Sequence, residues 1–342
     1  MVILAVLVTL IFAMTLAAKM TDLGLDAQRV VDQATAREEN YLVARSAVEM
    51  GFELLRSDTN ETDNLNDAWA LGELDFEWEG KPVHIRIVDE ESKFPLGALQ
   101  EEPDNTKVLA ESLQRFLDNA GLPNAEEAVS QFLDWVDTDS NKRTSGAEIG
   151  DYEDGLIKDA PMDSLYELDR LRAWTEKPKL PSPRRKVDIA ALGMPSIKKN
   201  YNDNDVPVND GEYELEVPGA ETMGGTGTSE WEDWMTVTSS GKINVNTAPK
   251  KVLLCLDDAM TDVIVNEIDD RRRSEPFKKI EDLREVAGMN ADLVFRIKGI
   301  LSCTSSVFTV EASVSSYPAP VTVRAVVTRG TGAMRVIRWE AN

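Results

Sequence analysis

The chain has 342 residues and a formal net charge of −24, from 61 acidic and 37 basic side chains. That length allows two or three units with hydrophobic cores. The acidic balance argues against nucleic acid as the main partner, because phosphate contacts need a basic surface. A single histidine and two distant cysteines offer little to a Ser-His-Asp or Cys-His mechanism, and they exclude zinc knuckles and thioredoxin-like sites.

The first 18 residues contain no charge, proline or glycine. As a helix they would span about 27 Å, close to the hydrocarbon thickness of a bilayer, so we expect a transmembrane segment. Residues 25–50 also lack glycine and proline, and their apolar spacing predicts that one helix of about 55 residues continues through 1–57. Two interpretations stay open here: a single-pass anchor with a stalk, or a pilin-type helix whose outer half packs on a small sheet.

Alternating apolar residues predict strands near both ends of the chain. Residues 74–78 and 83–88 read as a hairpin, with His84 pointing outward, and form the first part of a sheet over 58–103. Residues 307–314, 321–328 and 334–339 return to the strand pattern and complete the sheet within 304–342. Strands at both ends of a helical block indicate an α+β fold, in which one sheet is interrupted by an inserted domain.

The inserted block divides into a first helical subdomain over 104–243 and a second over 244–303. Amphipathic patterns predict helices over 106–119, 125–136 and 164–174 in the first, and over 250–256, 261–272, 280–286 and 291–301 in the second. Residues 177–229 read as a long linker, with early prolines followed by an acidic run. Cys255 and Cys303 could pair in an oxidising compartment, but we favour two unpaired, buried thiols.

The end of the predicted helix 125–136 leads into a loop rich in oxygen ligands. Positions one, three, five and twelve of an EF-hand-like spacing hold side-chain oxygens, and a further acid follows: Asp137, Asp139, Asn141, Glu148 and Asp151. Carboxylates without His or Cys suit a hard cation, so we expect calcium. Lys142 replaces the central glycine, and the alternative is an Asx-rich turn whose side chains satisfy backbone N–H groups.

A second, weaker metal candidate lies in the acidic linker and consists of Asn202, Asp203, Asp205, Asn209 and Asp210. Acids are plentiful, but no pair with a sugar-binding aromatic cleft stands out for glycoside hydrolysis. We therefore expect a protein that is not an enzyme.

The second subdomain opens with N-V-N-T-A-P at 244–249, and this entry resembles the helix-hairpin-helix modules of competence-type DNA-binding proteins. Those modules present backbone N–H groups to DNA phosphate from glycine-bearing hairpins. The first hairpin here is acidic, with Asp257 and Asp258, and lacks glycine. DNA binding through this module is therefore not expected.

The same entry, together with D-W-V-D-T-D at 134–139, D-S-L-Y-E-L at 163–168 and W-M-T-V at 234–237, resembles the K-type minor pseudopilins of type II secretion (GspK family). That resemblance implies a pilin-like fold, with a long N-terminal transmembrane helix packed on an antiparallel sheet. The sheet would be interrupted by a large helical insert of two SAM/helix-hairpin-helix-like subdomains. The linker over 177–229 looks longer than the usual connection in this family.

The resemblance also implies a function. Family members bind calcium, which carries over to Asp137, Asp139, Glu148 and Asp151. They cap and prime a periplasmic pseudopilus with I-type and J-type minor pseudopilins, contact other pseudopilus subunits and inner-membrane lipid, and are matured by prepilin peptidase. Pilin helices usually carry a glutamate at position 5, where this chain has Ala5; a tip subunit has no neighbouring amine above it to neutralise. The alternatives are a minor pilin of a type IV pilus and a membrane-anchored, competence-like DNA receptor.

Overall fold

The structure is a computed structural model that describes residues 2–99, 106–152, 155–176, 180, 231–330 and 333–342. The predicted linker lies outside these residues except for Leu180. The second metal candidate, formed by Asn202, Asp203, Asp205, Asn209 and Asp210, also lies outside the described residues.

The N-terminal helix is continuous, as predicted, and α1 spans Val2–Ser57. From Asn40 onward one face of it is buried, and the side chains that pack on the sheet recur at helical spacing: Ala44, Ala47, Val48, Phe52 and Leu55. Gly51 lies on the same face. A Cβ atom there would come within 2.5 Å of Val310 Cγ1.

The first half of α1 has no such cover, and apolar side chains such as Ile3, Phe12 and Leu23 are more than half exposed. The predicted transmembrane span is not confirmed: within the described residues, none of the helices combines the length and the apolar character needed to cross a bilayer.

Five antiparallel strands, numbered in chain order, form one sheet in the order β1-β2-β7-β8-β9. Their bounds are Leu74–Trp78 (β1), Lys81–Asp89 (β2), Val307–Val314 (β7), Val321–Gly330 (β8) and Ala333–Ala341 (β9). The predicted bounds of β1 and β7 are confirmed residue for residue, whereas β2, β8 and β9 extend one or two residues beyond the predicted bounds. Alternation puts Val83, Ile85 and Ile87 of β2 in the core against α1 and turns His84 to the other face, as expected.

The connection between β2 and β7 contains the whole helical insert. The two strands are neighbours in the sheet, and Asp89 at the end of β2 is the register partner of Phe308 at the start of β7. The insert therefore leaves and re-enters the sheet at the same end of these two neighbouring strands, and it interrupts one sheet as the strand pattern predicted.

The insert consists of two helical parts that share one hydrophobic core. The first runs from β3 (Phe94–Pro95) through α2 (Thr106–Asn119) and α3 (Ala125–Val136) to β4 (Met235–Thr236). The second runs from β5 (Ile243–Asn244) through α4 (Lys250–Leu254), α5 (Asp262–Ser274) and α6 (Ala291–Ile297) to β6 (Leu301–Ser302). In each part the short opening and closing strands pair in parallel.

Two segments that were predicted as α-helices form 3₁₀ helices instead. Residues 164–174 form two short 3₁₀ helices, Leu165–Arg170 and Arg172–Trp174, because Leu171 between them has an extended backbone. Ile280–Glu285 is also 3₁₀. 3₁₀ turns are common in short connecting segments, and both of these segments lie between longer elements.

The two cysteines are unpaired and buried, as we favoured. Cys255 Sγ lies 3.0 Å from the Lys251 carbonyl oxygen. Burial raises the pKa of Cys255 to about 11 and that of Cys303 to about 12, so both thiols stay protonated near neutral pH.

A buried acidic joint, which we define as Asp89, Glu90 and Glu91, connects the sheet to the insert. Asp89 Oδ2 accepts hydrogen bonds from Thr247 Oγ1 at 2.6 Å and from Ser305 Oγ at 2.7 Å, and its Oδ1 accepts from the Glu91 amide. One carboxylate thus holds the end of β2, the second subdomain and the approach to β7 together.

Asp89 should make stability depend on pH. Burial raises its folded-state pKa from 3.8 to about 7. The folded state therefore binds a proton that the unfolded chain has already released above about pH 4, and the free energy of unfolding should fall as pH rises from 4 through 7. Asp89→Asn removes this titration. We expect the melting temperature of the natural chain to fall relative to that of Asp89→Asn between pH 5 and pH 8.

The matched control is Asp118→Asn, which changes an exposed acid near the end of α2. Its pH profile should run parallel to that of the natural chain. A profile for Asp89→Asn that also stays parallel would contradict the assignment.

Candidate metal centre

The predicted loop begins where α3 ends, and α3 contributes the most buried acid of the site. Asp137 is the C-terminal cap residue of α3 and has an extended backbone. Asp134 lies three residues earlier on the same side of the helix, and its side chain is fully buried. The two carboxylates therefore face one region beneath the loop.

Glu148 reaches the same region from the far end of the loop. Burial raises its pKa, and the negative charges of Asp134 and Asp137 raise it further, followed by those of Asp159 and Asp139. Asp137 and Asp139 therefore lie near enough to Glu148 for their charges to act on it, but among the described residues the predicted ligands do not form a group of acids whose oxygens all come within 4.8 Å of one another.

Several oxygens in this cluster lack a donor. Asp137 Oδ1, Glu148 Oε1 and the Tyr152 hydroxyl are buried and have no hydrogen-bond partner. Buried polar atoms are normally satisfied, so orphaned carboxylate oxygens from both ends of one loop indicate a missing positive charge or water. An all-oxygen, acidic donor set without His or Cys fits a hard cation such as calcium.

Arg143 supplies part of the positive charge. Its Nη1 donates to Asp134 Oδ1 at 2.5 Å and also to Asp137 Oδ2, and its backbone N–H donates to Asp134 Oδ2 at 3.2 Å. The chain turns sharply here, and a Cβ atom on Gly146 would come within 1.7 Å of Asp134 Oδ2. Only glycine leaves room for the buried carboxylate.

The other two predicted ligands are Asn141 and Asp151, and Asp139 also makes a hydrogen bond within the loop. Asp139 Oδ1 accepts from the Asn141 amide at 2.7 Å, which is an Asx turn, and the Asn141 side chain is exposed. Asp151 accepts from Lys142 Nζ at 2.8 Å and from the Glu148 amide at 2.9 Å, and the hydrogen bond from Lys142 lowers the pKa of Asp151. Lys142, at the position of the EF-hand glycine, therefore holds Asp151 by an ion pair.

The five predicted ligands include neither Asp134 nor its partner Arg143. The spacing of Asp134 and Asp137 on one helix face was the available signal. Nothing in the sequence indicated that Arg143 would turn back toward α3.

A second acidic cluster, which the sequence did not single out, lies in the loop after α1. Within the described part of the chain, the carboxylate oxygens of Asp58, Asp63 and Asp67 come within 4.8 Å of one another. Arg329 donates to both Asp58 and Asp63, the Ser305 amide donates to Asp63, and amides of the loop donate to Asp67. These oxygens are already satisfied, so the cluster serves as a hydrogen-bonded junction.

Comparison with known proteins finds similarity in both helical parts of the insert. Residues 92–179 and, separately, residues 243–296 match family models described as type II secretion system, protein K. No curated protein sequence matches the chain.

Among solved structures, the chain resembles one from the GspK-GspI-GspJ complex of the enterotoxigenic Escherichia coli type 2 secretion system. The TM-score is 0.63 at 14% identity, and the alignment covers 92% of this chain and 99% of that chain. At this identity the match concerns the fold: mixed helix and antiparallel sheet with a long N-terminal helix.

The two matched segments fall in the two helical parts of the insert, and the fold that surrounds them is the fold of the solved relative. In both helical parts of the insert the chain is similar to protein K of the type II secretion system.

Proposed function

We propose that this chain is a structural, non-enzymatic minor pseudopilin, which caps the tip of the type II secretion pseudopilus and primes its assembly for export of folded proteins across the outer membrane. The observation that carries the proposal is the position of the insert. The insert leaves the sheet at one end of the strands. The exposed half of α1 emerges at the other end.

The two ends of the sheet are identified by contacts of α1. Near the middle of the helix, Asn40 Nδ2 donates to the carbonyls of Ser316 and Ala319 in the turn between β7 and β8. Just past its C-terminal end, Asp58 accepts from Arg329 at the far end of β8. The insert departs beside this second end, where Asp89 pairs with Phe308.

This arrangement suits a terminal subunit. The exposed apolar half of α1 has to be covered by lipid or by neighbouring helices, because it presents large side chains to water along its whole length. The opposite end, where a further subunit would stack, is already occupied by the helical insert and its buried acidic joint.

The partners follow from the relative. The similar chain was solved in a complex with GspI and GspJ. We propose that this chain likewise assembles with an I-type and a J-type minor pseudopilin, and through them with other pseudopilus subunits. Its folded part would face the periplasm, and its apolar stem would sit in the inner membrane after maturation by prepilin peptidase.

We also propose that the cluster of Asp134, Asp137 and Glu148 holds calcium, with Asp139 nearby. The orphaned oxygens of Asp137 and Glu148 and the raised pKa of Glu148 support a cation there. Bound calcium would supply the positive charge that Arg143 provides only in part. Asn141 and Asp151 belong to the predicted set, but their present hydrogen bonds suit turn formation.

The runner-up, a competence-like DNA receptor, is disfavoured by the hairpin between α4 and α5. Arg296 donates to both carboxylate oxygens of Asp257, and Arg115 pairs with Asp258. The basic groups nearest to this hairpin are thus already neutralised. Tight, salt-dependent binding of duplex DNA would support this receptor and contradict the pseudopilin proposal. A minor pilin of a type IV pilus is disfavoured by the two matches to type II protein K.

Calcium should stabilise the protein through Glu148. At a calcium concentration about 100 times the dissociation constant, the free energy of unfolding should rise by about 2.7 kcal/mol. Glu148→Gln should abolish that response. It should also raise the melting temperature in chelator, because the raised pKa indicates that the charged form of Glu148 is disfavoured in the metal-free protein.

Two controls sharpen this melting experiment. Glu126→Gln changes an exposed acid in the first turn of α3 and should respond to calcium as the natural chain does. Asp151→Asn should retain most of the response, because Asp151 already pairs with Lys142. An equal calcium response in Glu148→Gln and the natural chain would rule out this site.

Assembly gives the direct test of the proposed function. The intact chain, mixed with an I-type and a J-type minor pseudopilin from the same secretion system, should elute as one complex whose light-scattering mass equals one copy of each. Folded partners that stay separate from the chain at micromolar concentrations would contradict the proposal.

A further inference from the structure

Polar side chains join the first helical part of the insert to the outer face of the sheet, which is the face opposite to α1. The apolar residues of the insert and those between α1 and the sheet form two separate clusters. On the outer face, Arg338 Nη2 of β9 donates to the Asp163 carbonyl oxygen at 2.5 Å, and Arg324 Nη1 of β8 donates to Glu232 Oε2 at 3.1 Å. Partly exposed polar contacts hold less firmly than a packed core, so this docking can loosen while both cores stay intact.

The two layers are also incompletely packed against each other at this place. A cavity of about 80 Å³ lies between them, and its lining includes Lys93, Tyr166, Arg324 and Arg338. Arg324 Nε is buried and has no hydrogen-bond partner among the described residues. Buried donors are normally satisfied, so an unsatisfied donor beside a cavity indicates that the layers do not fit closely here.

Glu167 organises the turn of the insert that reaches β9. Its Oε1 accepts from the amides of Asp163 and Ser164 at 2.8 and 3.2 Å, and from Lys158 Nζ at 2.8 Å. Lys158 Nζ also donates to Asp163 Oδ2 at 2.8 Å. The position of the Asp163 carbonyl, and therefore its contact with Arg338, depends on where Glu167 lies.

Trp135 connects Glu167 to the candidate metal centre. Its Nε1 donates to Glu167 Oε2 at 3.2 Å, and its ring meets the ring of Tyr152 edge-on, with the centroids 5.4 Å apart. Trp135 is buried and directly follows Asp134 in α3. Tyr152 directly follows the short 3₁₀ helix that Glu148 caps, and its buried hydroxyl has no hydrogen-bond partner. A series of direct contacts thus runs from the metal loop to β9.

The charge of the candidate metal centre acts on the residues at the start of this series. Burial, and then the charges of Asp134 and Glu148, raise the pKa of Tyr152 to about 12, so the phenol stays neutral beside these acids. Asp134 and Asp137 also repel Glu148. With calcium bound, that repulsion would be offset, and the loop that carries Glu148 and Tyr152 would be held more firmly against α3.

We propose that calcium in the candidate metal centre tightens the docking of the first helical part on the outer face of the sheet, and that Tyr152, Trp135 and Glu167 are the positioning residues that carry the effect. This inference rests on the proposed function, because calcium is taken to be the cation. The docked and the loosened arrangement are the two states, and calcium shifts the population toward the docked one. Calcium thereby fixes the direction of the insert relative to α1.

Hydrogen exchange of the intact chain, with calcium and with chelator, tests this coupling. Calcium should slow exchange by about ten-fold or more in the loop around Glu148, in residues 163–168 and at the β9 amides near Arg338. Trp135→Phe keeps a ring against Tyr152 but removes the N–H that reaches Glu167. This variant should retain the calcium response of the loop and lose the response of β9.

Arg338→Met removes the last contact of the series instead. It should retain the calcium response of the loop and of residues 163–168, and lose the response of β9. The Arg338 side chain is 39% exposed, so this variant keeps the test decisive if Trp135→Phe does not fold. Arg335→Met is the matched control, because Arg335 is an exposed arginine on the same strand. It should respond to calcium as the natural chain does in all three places.

The outcomes separate the two possible failures. If calcium protects no part of the natural chain, the calcium assignment fails, and the coupling fails with it. If calcium protects the loop but leaves residues 163–168 and β9 unchanged, the metal site stands and the coupling is overturned. An equal response of β9 in the natural chain, Trp135→Phe and Arg338→Met would also overturn the coupling.

Discussion

The antiparallel pairing of β2 with β7 is the constraint on which the rest of the molecule depends. These two strands are central neighbours in the sheet, yet the entire helical insert lies between them in sequence. Closing so long a connection costs only slightly more entropy than closing a shorter one, since the cost grows with the logarithm of loop length. The difficulty is the junction, where backbone and side-chain polar groups become buried.

The buried acidic joint solves that difficulty with hydrogen bonds. Asp89 binds Thr247 and Ser305, Glu90 pairs with Lys93 at 2.9 Å, and Glu91 accepts from Ser306. Three acids in a row would be costly in a core without such partners. With them, the junction fixes where the insert starts, and therefore where it sits relative to α1.

Much of the fold could be predicted from the regular spacing of apolar residues along the chain. The helices α2 and α3 have the predicted bounds, since each combines one apolar stripe with a clear stop signal. The 3₁₀ segments could not be distinguished from helices, because both show the same short apolar spacing. The acidic joint was not predicted at all, because local sequence gives no sign that a run of acids at a strand end will be buried by residues more than 150 positions away.

The candidate metal centre was likewise predictable only in part. The spacing of Asp137, Asp139 and Glu148 predicted a calcium site, and both this ligand set and the binding of calcium stay a prediction. Arg143 turns toward Asp134 and pairs with it, and Lys142 forms an ion pair with Asp151. Both contacts depend on tertiary structure, which residue spacing does not encode.

These features support one view of the protein: we propose that α1 meets the partner subunits, while the helical insert stays clear at the opposite end. Hydrogen exchange of the intact chain, alone and with its I-type and J-type partners, tests this view most directly. We expect added protection in α1, with little change in α4, α5 and α6. Added protection confined to α4, α5 and α6, with α1 unchanged, would contradict this view.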